Sequence, residues 1–160
     1  MTIKIGDRIP NVTIAIMTSD GPTELITDEI FANKKVVLFA LPGAYTRTCS
    51  AAHLPGYVVH HDAIVEKGVD AIACLSVNDA FVMAAWGKAQ NVEKNILMLA
   101  DGSGAFTEAV GLELDLTARH MGVRSQRYAM IVDDGVVTHL NVEQGANFEV
   151  SDAETILRLL

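Results

Sequence analysis

A chain of 160 residues, half of them hydrophobic and a fifth charged, carries enough core for one domain over residues 1–160 without covalent staples. Its net charge of −8 argues against nucleic acid as a partner, no apolar run approaches the ~20 residues that span a bilayer, and two cysteines make no disulfide framework. No second cysteine or histidine cluster at zinc spacing accompanies either one, so no metal or other cofactor is expected; the N-terminus MTIKIGDRIPN lacks a secretory pattern, which makes the cytoplasm the expected location, a trimmed organellar form being the other option.

Asn11 to Met17 alternates Val12, Ile14 and Ile16 with smaller polar or small residues, which predicts a strand, and Ser19-Asp20-Gly21-Pro22 reads as the turn of a hairpin. Thr27-Asp28-Glu29 starts a short helical turn through Phe31. Val36 to Leu41 is a continuous apolar run, the mark of a strand covered on both faces, and Pro42-Gly43 ends it. A helix is expected from Cys49 to about Lys67, stopped by Gly68 and kinked by Pro55. Val69 to Val77 is a second buried strand. Asn78-Asp79 caps a helix to about Gln90 whose apolar face reads as Phe81, Val82, Ala85, Trp86 and Ala89, with Trp86 a core residue.

Ile96 to Leu99 forms a third buried strand, and Ala105 to Val110 a helix ended by Gly111. Tyr128 to Val132 and Val136 to Val142 flank Asp133-Asp134-Gly135, a tight hairpin signal. Ser151-Asp152-Ala153-Glu154 reads as a capping box opening the terminal helix. A βαβ half followed by a ββα half on one mixed sheet, with helices on both faces, is a thioredoxin-like α/β arrangement with an N-terminal hairpin added.

Cys49 follows the polar Thr46, Arg47 and Thr48 and falls at a helix start, where free amide groups and a nearby cation favour a thiolate. Between Val36 and His61 the one formally charged side chain is Arg47, so no carboxylate opposes a thiolate locally. A small buried hydrophobe is the other reading of Cys49. In thioredoxin's Cys-x-x-Cys the fourth position is a second thiol; here it is Ala52, so dithiol exchange within that motif is excluded. His53, four residues on, shares a helix face with Cys49 as a Cys/His hydrolase dyad would, but nothing that orients a base or binds an oxyanion accompanies it.

Pro42, Thr46 and Cys49 satisfy P-x-x-x-T-x-x-C, the signature of peroxiredoxins. LPGAYTRTCSAAHLPGY, VDAIACLSVNDAFVMAAW, FTEAVGLELDL and RSQRYAMIVDDGVVTHLNVE resemble the type II, or atypical, branch of that family, in order and over nearly the whole chain. The resemblance implies a thiol peroxidase acting on hydrogen peroxide and organic hydroperoxides. It gives Cys49 the attack on the O–O bond, Thr46 and Arg124 the binding of both peroxide oxygens, and Pro42, Gly43 and Thr48 a place around the substrate. From Thr117 to Val132 there are three arginines and no acid, and Arg124 read without the resemblance is a surface residue. A homodimer is also implied. Arg47 stands where the family usually has proline, so it is expected at the rim of that interface or paired across it, and the dimer is expected to be weaker for it.

Cys74 lies inside VDAIACLSV and reads as a core thiol. With no resolving cysteine elsewhere, the sulfenic acid formed at Cys49 needs an outside thiol, glutathione with glutaredoxin, thioredoxin being the other candidate reductant. A different class of function, a non-catalytic redox sensor or interaction module using the same sulfenic acid, is separated from the enzyme by turnover.

Overall fold

The computed structural model describes residues 1–160. β1 (Thr13–Thr18) returns as β2 (Gly21–Ile26), antiparallel, with Thr13 opposite Ile26 and Thr18 opposite Gly21. Gly21 and Pro22, read from the sequence as turn residues, belong to the strand. The reason is that β2 is an edge strand, where a residue without an N–H leaves no ladder bond broken.

Beyond α1 (Thr27–Phe31), β3 (Lys35–Ala40) runs parallel to β4 (Ala71–Ser76), and β4 parallel to β5 (Leu97–Ala100). The crossovers are a helix ending in α2 (Leu54–Glu66) and α3 (Ala80–Ala89), followed after β5 by α4 (Ala105–Val110). A two-stranded sheet that sequence reasoning did not foresee comes next, β6 (Glu113–Leu116) against β7 (Gly122–Ser125), joined through a 3₁₀ turn at Thr117–Arg119. β8 (Tyr128–Asp133) and β9 (Val136–Val142) form the expected hairpin, with Asp134 at φ 46° and Gly135 at φ 78°, the left-handed pair that a two-residue turn requires. α5 (Ala153–Leu159) closes the chain. The main sheet has the order β2-β1-β5-β4-β3-β8-β9 and is mixed, as the sequence indicates.

β3 sorts the core into two halves because its residues alternate sides. Val37 and Phe39 pack with Cys49, Leu54, Tyr57 and Trp86 beneath α2, α3 and α5. Val36, Leu38 and Ala40 pack with Phe31, Phe106 and Val110 on the opposite face. No helix is long and apolar enough to cross a membrane.

Two local readings are corrected. α3 buries Ala80, Met83, Trp86 and Gly87 and leaves Phe81 65% exposed, so its inward stripe is rotated from the expected one. Gly87 explains this: a Cβ there would stand 3.0 Å from Met98 and 3.1 Å from Val92, so the helix presses on its neighbours through its one residue without a side chain. At α5 the cap is Asp152, whose carboxylate accepts from the Thr155 amide at 3.1 Å, while Ser151 is engaged elsewhere.

Candidate active site

β3 ends at Ala40, and the loop that follows through Leu41 and Pro42 is drawn tight by its own polar groups. The Thr46 hydroxyl donates to the Gly43 carbonyl at 2.7 Å, and the Ala44 amide donates to Asn78 Oδ1 at 2.9 Å. Tyr45 is held at φ 64°, an unusual conformation for a residue with a side chain. The helix opens at Arg47, two residues earlier than expected, where the Ser50 amide reaches back to the Thr46 carbonyl, so Cys49 lies within its first turn; Cys49–His53 is then a π turn in which the Leu54 amide reaches back to the Cys49 carbonyl. The sequence predicts a kink at Pro55. The proline falls in the first turn of α2, directly after the π turn, which is wide enough to take a residue that donates no bond.

Cys49 is fully buried, and its sulfur is met by Arg127, whose Nη2 donates to Sγ at 3.0 Å. Arg124, the arginine singled out from the sequence, does not reach it. Its Nε donates to the Met121 carbonyl at 2.9 Å and its Nη1 to the Pro42 carbonyl at 3.2 Å, so it braces the loop from behind. A Cβ on Gly43 would stand 2.9 Å from that Nη1, which is why the loop has glycine here. The physical reason for the correction is register. Tyr128 pairs with Ala40, so the residue before it, Arg127, arrives beside the end of β3, whereas Arg124 is committed to β7 opposite Leu114.

Arg127 is itself held. Its Nη1 donates to Nδ1 of His53 at 2.8 Å, and the other ring nitrogen lies 3.1 Å from the Ser151 carbonyl. One tautomer satisfies both contacts: Nδ1 accepts and Nε2–H donates. The Tyr57 hydroxyl donates to the same carbonyl at 2.8 Å. Ser151 is fixed in turn by Glu143, which takes the Ser151 hydroxyl at 2.7 Å and the amides of Glu149, Val150 and Ser151. Burial works to raise the Glu143 carboxyl, but these donors outweigh it and hold the group below the usual carboxylate range. A chain of contacts thus runs from Glu143 through Ser151, His53 and Arg127 to the sulfur. Sequence reasoning saw that His53 shares a face with Cys49; its partner is the arginine, not the thiol.

Burial, with the Arg127 charge adding to it, drives His53 from its ordinary 6.5 down to about 3, against the Ser151 hydrogen bond. The imidazole is therefore neutral in the fold while the unfolded chain binds a proton below about pH 6.5. Between those values the unfolded state holds more protons, so stability rises with pH and is lost on acidification from 6.5 toward 3. From pH 7 to pH 4 this amounts to about 3 kcal/mol. Urea unfolding at both pH values should show that much more loss for the native chain than for His53→Gln, whose amide keeps both hydrogen bonds without titrating. Equal losses would remove His53 from the account.

Pro42, Thr46, Thr48 and Arg127 line a cleft of about 460 Å³, and it is through Arg127 that this cleft adjoins the buried thiol. Thr48 makes no side-chain capping bond, and Gly43 contributes its carbonyl rather than a wall. Because the Thr46 hydroxyl donates its proton to Gly43, its oxygen keeps acceptor capacity in the cleft that the Arg127 guanidinium also lines. Cys74 is also fully buried, opposite Phe39 on β4, and is not bonded to Cys49. Burial pushes its thiol well up, the Cys49 charge adds to that, and Arg127 works the other way. The trait is that of a core thiol.

Residues 4–157 match the Redoxin family. Peroxiredoxin-2D of Arabidopsis thaliana is 45% identical over 159 residues, covering 99% of this chain and 98% of that protein. The crystal structure of reduced Prx3 from Vibrio vulnificus in complex with H2O2 is 60% identical and superposes with a TM-score of 0.95, over 99% of both chains. The antioxidant protein of Plasmodium falciparum, a 1-Cys peroxiredoxin, is 31% identical with a TM-score of 0.90 over 98% of each chain.

Proposed function

The chain belongs to the peroxiredoxins, thiol peroxidases on a thioredoxin-like fold, and from that premise we propose that Cys49 is the peroxidatic cysteine, with Arg127 and Thr46 binding the peroxide. The observation that carries the assignment is the 3.0 Å contact between the Arg127 guanidinium and the sulfur. A peroxide entering between Pro42, Thr46 and Arg127 gives its O–H to Thr46 and takes N–H groups from Arg127. The thiolate attacks the nearer oxygen, the S–O bond forms as the O–O bond breaks, and the departing alkoxide or hydroxide leaves as alcohol or water once protonated. Negative charge moves from sulfur to that oxygen, both within reach of one fixed cation, so Arg127 stabilises the transition state throughout.

The reductant follows from the thiol count. Cys49 and Cys74 are the two cysteines, and Cys74 is a fully buried thiol on a central strand. We assign resolution to glutathione, which condenses with the sulfenic acid to a mixed disulfide and water, and glutaredoxin then removes the glutathionyl group by thiol exchange. The name of the Plasmodium neighbour supports a one-cysteine cycle. A homodimer remains part of this reading, and exposed apolar Tyr45 in the cysteine loop supports it. One equivalent of hydrogen peroxide without small thiols should leave the protein one oxygen heavier and reactive to a sulfenic-acid reagent at Cys49. Added glutathione should convert it to a mixed disulfide. A rapid, quantitative Cys49–Cys74 bond, seen by mass spectrometry, would replace this cycle with a thioredoxin-linked one.

A further inference from the structure

Hydrogen peroxide uses little of the cleft that Thr46 and Arg127 line. Its size is near that of one or two water molecules, each about 30 Å³ in the liquid, against a cleft of about 460 Å³. Two further arginines line this space: Arg47 from the cysteine loop and Arg119 from the 3₁₀ turn between β6 and β7. Both are exposed, and the ion pairs of the molecule lie elsewhere, at Lys4–Asp7, His60–Glu154 and His61–Asp62. The one carboxylate in the lining is Glu143, whose oxygens are occupied by Glu149, Val150 and Ser151. A cationic concavity in a chain of net charge −8 draws anions to itself from a surface that repels them.

The remaining wall is apolar. Leu114 and Leu116 on β6 and Met121 just before β7 line the same space, each half-buried. A ligand matching both halves carries an anionic head on an aliphatic chain. Among peroxides, aliphatic acids oxidised at an allylic carbon have this form, because the hydroperoxide sits along the chain and the carboxylate survives. We propose that Arg47 and Arg119 hold the carboxylate of such a hydroperoxide while its chain lies on Leu114, Leu116 and Met121, so that this protein prefers carboxylate-bearing alkyl hydroperoxides to neutral ones. The planar guanidinium fork can take a carboxylate through two parallel hydrogen bonds, a geometry that a lysine ammonium does not offer. This selectivity rests on the peroxidase reading above and adds to it a substrate class.

The test uses a matched pair, the hydroperoxide of an unsaturated fatty acid and that of its methyl ester, both below their micelle concentrations. Oxidation of Cys49 is followed by stopped-flow fluorescence of Trp86, the single tryptophan, whose indole donates to Ser50 beside Cys49. At low salt the acid should react roughly tenfold faster than the ester. That ratio should collapse toward one in Arg47→Gln/Arg119→Gln and on raising the salt concentration. Equal rates for acid and ester in the native chain, or a ratio untouched by the double substitution, overturns the proposal. A double substitution that slows only the reaction of the oxidised protein with glutathione overturns it too, since the cations would then serve the reductant. Hydrogen peroxide is run alongside: no oxidation by it sinks the peroxidase reading itself, whereas normal oxidation with no charge discrimination sinks the substrate preference alone.

Discussion

Cys49→Ser is expected to abolish peroxide reduction, a loss on the order of 10⁴-fold or more, while Cys74→Ala keeps most of the activity. Serine fits the space, and its oxygen can still take the Arg127 hydrogen bond seen at 3.0 Å. What it lacks is chemistry. A hydroxyl is not ionised near neutrality, nothing beside it can take its proton because His53 Nδ1 already accepts from Arg127, and oxygen is a poor nucleophile toward an O–O bond. Cys74 has neither a cation on its sulfur nor a route to solvent, and removing that sulfur trims a small volume from the core, costing about 1 kcal/mol. Peroxide consumption with excess reductant measures both. Comparable losses in the two variants would mean that the sulfur under Arg127 is not the reacting one.

The second large effect separates the two neighbouring arginines. Arg127→Gln should slow the first oxidation step roughly 10²- to 10³-fold, the usual consequence of deleting one donor aimed at developing charge. Arg124→Gln should cost less than about tenfold, since it loosens the Pro42 carbonyl without touching the sulfur. Arg127→Lys should rescue little. One ammonium cannot span Nδ1 of His53 and Sγ of Cys49, which the two Nη groups do at 2.8 Å and 3.0 Å. Single-turnover oxidation with hydrogen peroxide decides between them, and a larger loss from Arg124→Gln would return the peroxide-binding role to that residue.

The main sheet was legible because its strands are written in continuous apolar runs and its turns in Gly, Pro and Asp. Val36 to Leu41 and Asp133-Asp134-Gly135 mean little else in a chain of this length. Cys49 was legible for a different reason, the polar, acid-free stretch before a helix start. The arginine was not. Three of them share an acid-free segment, and choosing among them needs the β3–β8 pairing, a contact between residues some ninety positions apart. Pairing the strand that opens at Tyr128 with the one that ends before Pro42 is the signal that points to Arg127. The Glu143 clamp was hidden for the same cause, because a carboxylate and three successive amides carry no pattern until the loop between them closes. The β6–β7 pair was missed because its four-residue strands are half exposed and too short for alternation to show.

The π turn at Cys49–His53 holds one residue more than an α-turn would, and each residue of an α-helix advances about 100° around the axis. Leu54, Tyr57 and Ile64 are anchored in the core, so that extra residue alone decides which way the cysteine looks. Take it out, and the helix keeps its seat on the sheet while the thiol swings about a quarter-turn or more away from the guanidinium. A lineage losing a single codon here would keep α2 seated on the sheet with its cysteine aimed elsewhere. Length in this one turn, as well as residue identity, is where the chemistry and the architecture of this chain can part company.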